Sequence, residues 1–549
     1  MQRLFLVFFL FFLFTNYLAA DVRFCAVGDI MLDRGVKTRI LRNNTNHPFE
    51  KVSFFINEFD LAFCNLECPL TDKGVPLNKK YCFEASPNYI NALKKSGFNI
   101  LSIANNHTID MGRDAFLETK KTIEDKGLYA VGGGKNQEEA RKPIILEING
   151  LKFAFFGYID MLLEALVYLE NKPYPAWANS DEIIKQIRAV RKEVDFIVVS
   201  FHWGVEFQQI PTINQVKFAH ELIDAGADLI LGHHPHVLQP IEIYKDKYIV
   251  YSLGNFVFDQ HKLFQRQSMV FCCNFTKEGI DSVYIKPILI EDFRPTIAEN
   301  ENYDAIIEKM QILAEEYNAE YITIEKKTLV VEKENLLNAY VSDNMAVIIY
   351  RNKIELIDSN LNVVDYFDIQ YPNELKECCI FEENEEIRIY GIIGNADKLL
   401  GGSIVIFPIY GNKISMPLKD VHDFNPWKIK LADVDGDANP DLCVGVWKKT
   451  RYYDEYDNRL FIYNRTENYI YPKWLGSKFA NPFIDYEFSD IDNDSRDELI
   501  LLEKCNDGNK RIVAYRWNTF GFKEGRTLKD NYEETKLEKY FSARRQNEK

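Results

Sequence analysis

Short apolar runs alternate with amphipathic stretches from residue 21 to about residue 294, and this alternation constrains the fold more than any other feature of the chain. The runs span residues 22–27, 61–64, 100–103, 153–156, 196–200, 229–231 and 249–252. The stretches between them have helix signals; Thr212 and Gln215, for example, predict a capping box before a helix that ends at Gly226. This alternation predicts an α/β domain with a largely parallel or mixed sheet.

The chain is too long for a single ordinary core, and its pattern changes along the 549 residues. Residues 21–300 carry the α/β pattern, and a Glu- and Lys-rich stretch at 301–327 predicts a helical linker. From 328 to 528 the apolar runs alternate with turn residues and helix patterns become scarce, which predicts an all-β domain. Residues 529–549 are charged and are expected to form a tail or a frayed helix.

Residues 1–20 have the composition of a secretory signal peptide. Arg3 supplies a positive start, an unbroken apolar run covers residues 4–14, and small residues end the segment at Ala20. The run is short for a membrane span, so we expect cleavage after Ala20 and a protein exported to the periplasm, the cell envelope or the extracellular space. An uncleaved membrane anchor is the alternative, because Leu18 stands where a small residue normally precedes the cut.

The net charge of −16 argues against a nucleic-acid partner, because phosphate binding requires clustered Lys and Arg. Ten cysteines in an exported chain raise the question of disulfides. Most of them, such as Cys25 and Cys64, fall within apolar runs, which is typical of buried free thiols. Cys68 and Cys82 lie in a local loop and are the candidate disulfide pair.

Polar side chains that can bind metals or transfer protons follow directly on the carboxyl ends of the predicted strands. They are Asp29, Asn65, Glu67, Asn105, Asn106, His107, His202, His233, His234 and His236. Loops at the carboxyl ends of strands gather at one edge of an α/β sheet, which is where ligands bind. Five of the nine histidines lie in three of these loops, and scattered surface histidines would not be grouped in this way.

Carboxylates, an Asn carbonyl and neutral imidazoles suit Mn, Fe or Zn, so the set predicts a two-metal centre. Two cations a few ångströms apart can hold a phosphoryl group and make hydroxide available at neutral pH. Each motif alone also has an ordinary structural explanation. Gly28-Asp29 is typical of a turn, Asn105-Asn106 of a helix cap, and His202 of a satisfied core imidazole. The ordered set, rather than any single motif, carries the prediction.

The order of these motifs resembles that of the calcineurin-like metallophosphoesterase superfamily. The residues within the motifs resemble those of its CapA branch, the capsule and poly-γ-glutamate synthesis proteins. The resemblance rests on Val27-Gly28-Asp29-Ile30-Met31, residues 65–70, Ala104-Asn105-Asn106-His107 with Asp110 and Gly112, His202-Trp203-Gly204-Val205-Glu206, and residues 226–239 and 251–256. It covers the α/β region and implies a metallophosphoesterase-like αββα sandwich.

By that resemblance, the metal ligands are Asp29, Glu67, Asn106, His202, His234 and His236, with Glu67 bridging the two metal sites. His107 is expected to donate a proton to the leaving oxygen or to stabilise it, and Asp110 is expected to orient His107. The expected pocket residues are Asn65, Glu206, His233, Ser252 and Asn255.

Two departures from the wider superfamily weaken the case for hydrolysis. Met31 stands where the usual motif has an imidazole, and Glu67 replaces the usual bridging Asp. The first metal site therefore has fewer ligands. Either Glu206 or a water completes it, or only one metal binds tightly.

An acidic pattern occurs twice in the all-β region, beginning at Asp433 and again 57 residues later at Asp490. Carboxylates align at the first, third, fifth and ninth positions: Asp433, Asp435, Asp437 and Asp441 in one copy, and Asp490, Asp492, Asp494 and Glu498 in the other. Oxygen ligands at alternating positions of a tight loop suit Ca²⁺. A solvated acidic loop is the alternative, and the aligned second copy favours calcium.

Apolar, strand-like runs follow both acidic loops, which excludes an EF-hand. The loops resemble the calcium-binding FG-GAP or VCBS repeats of β-propellers. Two units without the acidic loop are expected near 341–369 and 380–409, so we expect a small or incomplete propeller-like array.

The leading hypothesis is an exported metal-dependent phosphoesterase-like protein that acts in the synthesis, export or anchoring of a capsule or envelope polymer, poly-γ-glutamate or polysaccharide. The alternative is a non-catalytic accessory protein that binds an anionic polymer through its metal site and repeat domain; adhesion through the repeats is compatible with either. Expected partners are an anionic envelope polymer or its phosphorylated precursor, together with envelope proteins of polymer synthesis and export. A membrane is a partner only if the signal segment stays uncleaved.

Overall fold

The computed structural model describes residues 21–541 apart from residues 325–326, 343, 384–385, 399, 423–424, 451–452, 466–469, 477–478, 520 and 538–539. The predicted signal peptide (1–20) and the end of the predicted tail (542–549) lie outside the described residues. The chain divides into two compact units, residues 1–334 and 335–549. No helix among the described residues combines the length and the hydropathy that a membrane span requires.

The first unit contains both strands and helices. Its strands are β1 (Val22–Ile30), β2 (Leu61–Leu66), β3 (Ile100–Ser102), β4 (Tyr129–Val131), β5 (Gly133–Gly134), β6 (Ile144–Ile148), β7 (Leu151–Ile159), β8 (Tyr174–Pro175), β9 (Phe196–His202), β10 (Leu229–His233), β11 (Ile241–Tyr244), β12 (Lys247–Val250), β13 (Asn255–Val257), β14 (Gln267–Phe275), β15 (Ile280–Glu291), β16 (Arg294–Ile297), β17 (Ala319–Ile324) and β18 (Lys327–Glu332). Its helices are α1 (Arg34–Arg42), α2 (Ser53–Ile56), α3 (Ile90–Lys95), α4 (Arg113–Asp125), α5 (Gln137–Ala140), α6 (Ser180–Val190), α7 (Ile213–Ala225), α8 (Leu263–Arg266) and α9 (Asn300–Leu313), with 3₁₀ turns at His47–Phe49 and Pro87–Tyr89.

Two mixed sheets form the centre of this unit. The first has the order β17-β18-β15-β14-β1-β2-β3-β4, with β13 beside β1 and β16 beside β15. The second has the order β11-β12-β10-β9-β7-β6. Strands β1 to β4 run parallel to one another, and so do β7, β9, β10 and β12. The carboxyl ends of the parallel strands therefore share one edge in each sheet.

Alternate residues of β1 show how the layers are stacked. Phe24 and Ala26 lie in a core formed by both sheets, whereas Cys25 and Val27 lie in a core shared with α1, α3 and α4. The second sheet packs in the same way against α6 and α7. Aromatic rings join the two sheets, with the Phe24 and Phe155 centroids 6.2 Å apart. The order is helix, sheet, sheet, helix, which confirms the predicted αββα sandwich.

The capping box predicted from the sequence is present at the start of α7. The Thr212 side chain and the Gln215 side chain each accept a hydrogen bond from the other residue's backbone N–H, and this closes the capping box. Gly226 ends the helix with φ +120°, a backbone conformation that favours glycine.

The stretch 301–327 is not a linker, contrary to the sequence prediction. Tyr303, Ile306 and Met310 of α9 are buried in the core between the sheets. Strands β17 and β18 then pair with each other, and β18 pairs with β15, which extends the first sheet. The charged residues that suggested a linker occupy the outer face of an amphipathic helix, so the α/β unit continues to residue 334.

The second unit consists of strands: β19 (Leu336–Ser342), β20 (Met345–Tyr350), β21 (Lys353–Asp358), β22 (Val363–Asp368), β23 (Asn373–Glu383), β24 (Glu386–Asn395), β25 (Ser403–Tyr410), β26 (Lys413–Ile414), β27 (Leu418–His422), β28 (Pro426–Ala432), β29 (Asp441–Thr450), β30 (Tyr453–Arg465), β31 (Ile470–Leu475), β32 (Phe483–Ser489), β33 (Glu498–Lys504), β34 (Lys510–Trp517) and β35 (Phe522–Lys529). They form antiparallel sheets β19–β22, β23–β27, β28–β31 and β32–β35.

Consecutive sheets of the second unit pack face to face. One core combines Val347 with Ile389, the next combines Ile392 with Val444, and a third combines Cys443 with Leu501. The middle sheets are therefore buried on both faces, as blades are in a propeller. This confirms the prediction of an all-β, propeller-like domain.

Cys68 and Cys82 are free thiols, so the candidate disulfide is wrong. Cys68 is buried, and its Sγ accepts a hydrogen bond from Leu32 N at 3.4 Å. Cys82 Sγ instead donates to Leu77 O at 3.1 Å. The two sulfurs are engaged with different backbone groups.

Candidate metal centre

The strand ends bring the predicted polar side chains together at one edge of the first unit. Asp29 lies at the end of β1, Asn65 lies in β2 and Glu67 follows it, Asn106 and His107 follow β3, His202 ends β9, and His233, His234 and His236 end or follow β10. Apart from Asn106, which is partly exposed, all of these side chains are buried. Parallel strand ends place them side by side, as the sequence pattern predicts.

Asp29 is the hub of this cluster. Asn65 Nδ2 donates to Asp29 Oδ1 at 2.8 Å, and His236 Nδ1 lies 3.1 Å from Asp29 Oδ2. His233 Nδ1 lies 3.4 Å from Asp29 Oδ1. Burial alone would raise the pKa of Asp29, but the hydrogen bonds and charges of His233 and His236 hold it well below its usual range. Asp29 is therefore held in its carboxylate form.

Glu67 is fully buried, and neither of its carboxylate oxygens has a hydrogen-bond partner among the described residues. Its nearest polar neighbour is His236, whose Nε2 lies 3.5 Å from Glu67 Oε1. Burial, together with the charge of Asp29, raises the pKa of Glu67 well above its usual range. A buried carboxylate without a partner is costly, and a bound cation removes that cost.

The imidazoles around Glu67 fit the same requirement. Burial and the neighbouring imidazoles lower the pKa of His202 well below its usual value and that of His234 to about 3, so both rings are neutral at neutral pH. At His236 burial acts in the same direction, but Glu67 and Asp29 raise the pKa to about 9. The two carboxylates thus favour positive charge at this position, whether as a proton on His236 or as a bound cation.

The donor atoms fall into two groups. One oxygen each of Asp29 and Glu67 and a ring nitrogen of His202 lie within 4.8 Å of one another, and so do donor atoms of Glu206, His234 and His236. His202 Nε2 also lies 2.8 Å from Asn106 Oδ1. These oxygen and nitrogen donors fit Mn, Fe or Zn.

His107 and Asp110 form a buried pair beside the donor groups. His107 Nδ1 donates to Asp110 Oδ2 at 2.8 Å, which leaves Nε2 as the ring atom that exchanges a proton. The Phe83 ring stacks on the imidazole with centroids 4.1 Å apart, and Phe83 N donates to Asp110 Oδ2 at 2.7 Å. Burial lowers the pKa of His107 even though Asp110 opposes the shift.

Lys79 is a residue of this site that the sequence did not indicate. Its Nζ lies 2.5 Å from Asp110 Oδ1 and donates to Asn106 O at 2.9 Å, and its side chain is only 5% exposed. A single lysine in the irregular loop after β2 has no motif that distinguishes it from a surface residue. Only the folded loop, in which Leu77 N donates to Asp110 O, carries it into the site.

The expected pocket residues take different places. Asn255 Oδ1 lies 2.9 Å from His236 Nδ1 and so orients that ring, while Asn65 connects Asp29 with His202. The hydroxyl of Ser252 is occupied by backbone, because it donates to Val237 O at 2.7 Å. His233 is buried behind Asp29, and Glu206 is exposed.

The first acidic loop of the second unit is closed by its own backbone and by a lysine. Asp433 Oδ1 accepts from Gly436 N, and Lys473 Nζ lies 2.6 Å from Asp435 Oδ2 and 2.7 Å from Asp441 Oδ2. Asp433, Asp435 and Asp437 still hold donor oxygens within 4.8 Å of one another, and Asp435 Oδ1 has no hydrogen-bond partner among the described residues. Asp441 faces Lys473 instead.

The second acidic loop has an arginine in the same role. Arg516 pairs with Asp492 and donates from Nε to Glu498 Oε1 at 3.1 Å. Asp490, Asp492 and Glu498 hold donor oxygens within 4.8 Å of one another, whereas Asp494 lies 3.7 Å from Arg516 Nη2. Both loops therefore offer oxygen clusters that a side-chain cation already neutralises in part.

Comparison with known proteins places similarity in the first unit. The family model described as bacterial capsule synthesis protein PGA_cap matches residues 23–260. The chain is 34% identical over 277 residues to the capsule biosynthesis protein CapA of Bacillus anthracis, which covers 49% of this chain and 67% of that protein. It is 33% identical over 272 residues to the PGA biosynthesis protein CapA of Bacillus subtilis (strain 168), with 49% and 72% covered.

A further relative is a probable polyglutamine synthesis accessory protein of Mycobacterium tuberculosis. It is 29% identical over 212 residues, which cover 36% of this chain and 56% of that protein.

Proposed function

The chain belongs to the PGA_cap family of bacterial capsule synthesis proteins, and from this premise we propose that it is an exported, metal-dependent phosphoesterase-like protein that serves a capsule or envelope polymer, poly-γ-glutamate or polysaccharide. The observation that carries the proposal is Glu67, a buried carboxyl whose two oxygens have no hydrogen-bond partner among the described residues, beside two neutral imidazoles. Export rests on the composition of residues 1–20.

The proposed metal ligands are Asp29, Glu67, Asn106, His202, His234 and His236. Bound there, divalent Mn, Fe or Zn would supply Lewis-acid polarisation of a phosphoryl group and hydroxide at neutral pH. Around them, Asn65 and Asn255 fix the orientation of Asp29 and His236 through the hydrogen bonds described above.

His107 is proposed to donate the proton that the leaving oxygen requires. When a phosphoester is hydrolysed, the bond from phosphorus to the leaving oxygen breaks, and that oxygen gains a proton. Because Nδ1 donates to Asp110, Nε2 is the atom that would deliver this proton, and the ring must first take it up there, since its lowered pKa leaves Nε2 unprotonated at neutral pH. Lys79 balances the charge of Asp110, and the Asp110 carboxylate holds the ring.

A non-catalytic accessory role is the second candidate. Met31 favours it, because a buried thioether occupies the position at which the superfamily has an imidazole. In this role the metal centre and the repeat unit bind an anionic polymer and assist its export or anchoring. The partner in both cases is an anionic polymer or its phosphorylated precursor.

The acidic loops of the second unit are proposed calcium sites of FG-GAP or VCBS type. Support comes from the donor oxygens of Asp433, Asp435 and Asp437 and of Asp490, Asp492 and Glu498. Calcium must compete with Lys473 and Arg516 there, so we expect weak binding.

The test combines metal analysis with a generic phosphodiester assay on residues 21–549. The proposal expects bound transition metal and turnover that a chelator abolishes and added metal restores. Bound metal without turnover on phosphomonoesters and phosphodiesters would favour the accessory role, and a metal-free, folded protein would contradict both.

A further inference from the structure

Met31 leaves the donor set one ligand short, because its side chain is part of the hydrophobic core. Met31 Sδ accepts a hydrogen bond from Asp33 N at 3.1 Å, and the side chain is fully buried. It packs in the hydrophobic core with Leu32 and Val36 of the segment that leads into α1. A thioether held there does not take the place of an imidazole ligand.

Glu206 lies where a further ligand would serve. Its carboxylate, a ring nitrogen of His234 and a ring nitrogen of His236 all lie within 4.8 Å of one another. His234 Nδ1 is buried and has no hydrogen-bond partner among the described residues, so one donor of this group awaits a partner. No lysine or arginine in the described part of the chain pairs with Glu206.

The loop that carries Glu206 is tied to the histidine segment. Phe207 N donates to Pro235 O at 2.8 Å, and Gln239 Nε2 donates to Gln208 O at 2.9 Å. Gly204 makes the turn after β9 with φ +86°, where an added Cβ would meet Gln215 at 2.7 Å. The backbone thus holds Glu206 beside His234 and His236 on both sides.

We propose that Glu206 is a metal ligand that compensates for Met31, and that it completes a second site with His234 and His236 beside the site formed by Asp29, Glu67 and His202. The proposal rests on the metal centre of the proposed function and names its missing ligand. A carboxylate oxygen is a donor that Mn²⁺ accepts readily. Glu206 also adds a negative charge near Glu67, which favours a cation at this position.

Equilibrium Mn²⁺ binding to residues 21–549 tests the proposal without any assay of activity. The parent protein is expected to bind two Mn²⁺. Glu206→Gln should retain one and weaken the other by about tenfold or more. Glu206→His should keep both, because imidazole ligates without a charge. Glu138→Gln is the matched control, since that side chain is 84% exposed and its loss changes the net charge equally.

The outcomes separate this inference from the proposed function. Equal Mn²⁺ binding by Glu206→Gln and Glu138→Gln would overturn the ligand role while leaving the metal centre intact. Weak binding by both Glu206→Gln and Glu206→His would also overturn it, because the effect would then be one of charge alone. A folded parent that binds no Mn²⁺ would overturn the proposed metal centre, and the ligand role with it. Thermal unfolding checks that each variant is folded, which the exposure of Glu206 leads us to expect.

Discussion

Glu67 in the first unit is fully buried, and its carboxylate oxygens have no hydrogen-bond partner in the part of the chain that the structure describes, whereas Asp435 and Asp441 in the second unit share the ammonium of Lys473. In the sequence, both regions carry acidic motifs that predict a cation site. In the first unit the nearest basic side chain is an imidazole, His236, which can also bind a metal, whereas the second unit supplies Lys and Arg side chains, which cannot. Clustered carboxylates therefore indicate a metal site most strongly where the fold supplies no lysine or arginine partner and excludes water.

The largest expected effect is loss of the transition metal when the imidazoles are removed. His234→Ala combined with His236→Ala should abolish bound metal. Glu206 then has no imidazole beside it, and Asp29 and Glu67 lose the neighbouring ring of His236. Asp435→Ala combined with Asp492→Ala should leave the metal unchanged. Elemental analysis of the dialysed proteins measures the bound metal. Equal metal content in the double histidine variant and the parent would show that the imidazoles of the first unit do not bind it.

Removal of Lys79 should be the next largest effect and should act on stability. Lys79→Met leaves Asp110 buried without its partner, which is expected to cost about 3–5 kcal/mol in the free energy of unfolding. Lys73→Met is the matched control, because that lysine is 79% exposed and should change stability by at most about 0.5 kcal/mol. Denaturant unfolding compares them, and equal stability of the two variants would show that Lys79 is an ordinary surface lysine.

His107→Ala should lower turnover by about a hundredfold or more while metal content stays intact. The reason is that Nε2 no longer supplies the proton to the leaving oxygen. His261→Ala, at an exposed histidine, should match the parent. Steady-state kinetics and elemental analysis are measured on the same preparations. Metal loss that accounts for the whole drop would make His107 a ligand or a structural residue instead.

Calcium should have the smallest effect, and on the second unit. With dissociation constants of about 10⁻⁴ to 10⁻³ M, 1 mM Ca²⁺ adds roughly 0.4–1.4 kcal/mol of stability. Lys473→Met should tighten calcium binding, because the competing ammonium is gone. Calorimetric titration of the parent, Lys473→Met and Asp435→Ala measures this. If all three proteins fail to bind calcium, the loops are acidic turns that basic side chains neutralise.

The αββα sandwich and the edge that carries the polar side chains were predictable from the sequence. Asp29, His202 and His233 end strands whose apolar runs are short and regular, and parallel pairing then leaves little choice of where they meet. The start of the second unit was not predictable in the same way. Helix α9 is rich in charged residues, and this composition hides the apolar residues of its buried face, Ile306 and Met310.

The partners of the acidic groups were also beyond the sequence. Lys79, Lys473 and Arg516 reach their carboxylates from other loops and strands, and no spacing in the sequence marks them. Ser252 illustrates the reverse case, because a residue in a well-matched motif has its hydroxyl occupied by Val237 O. Long-range side-chain pairing depends on the folded backbone rather than on local pattern.

Anomalous X-ray scattering from crystals of residues 21–549 grown without added calcium tests the central claim most directly, because it locates a transition metal and identifies the element. The account predicts a peak within coordination distance of Glu67 and His202, and none at the acidic loops of the second unit. A well-ordered Glu67 surrounded by the same imidazoles, with no anomalous peak after growth in Mn²⁺, Fe²⁺ and Zn²⁺, would contradict it.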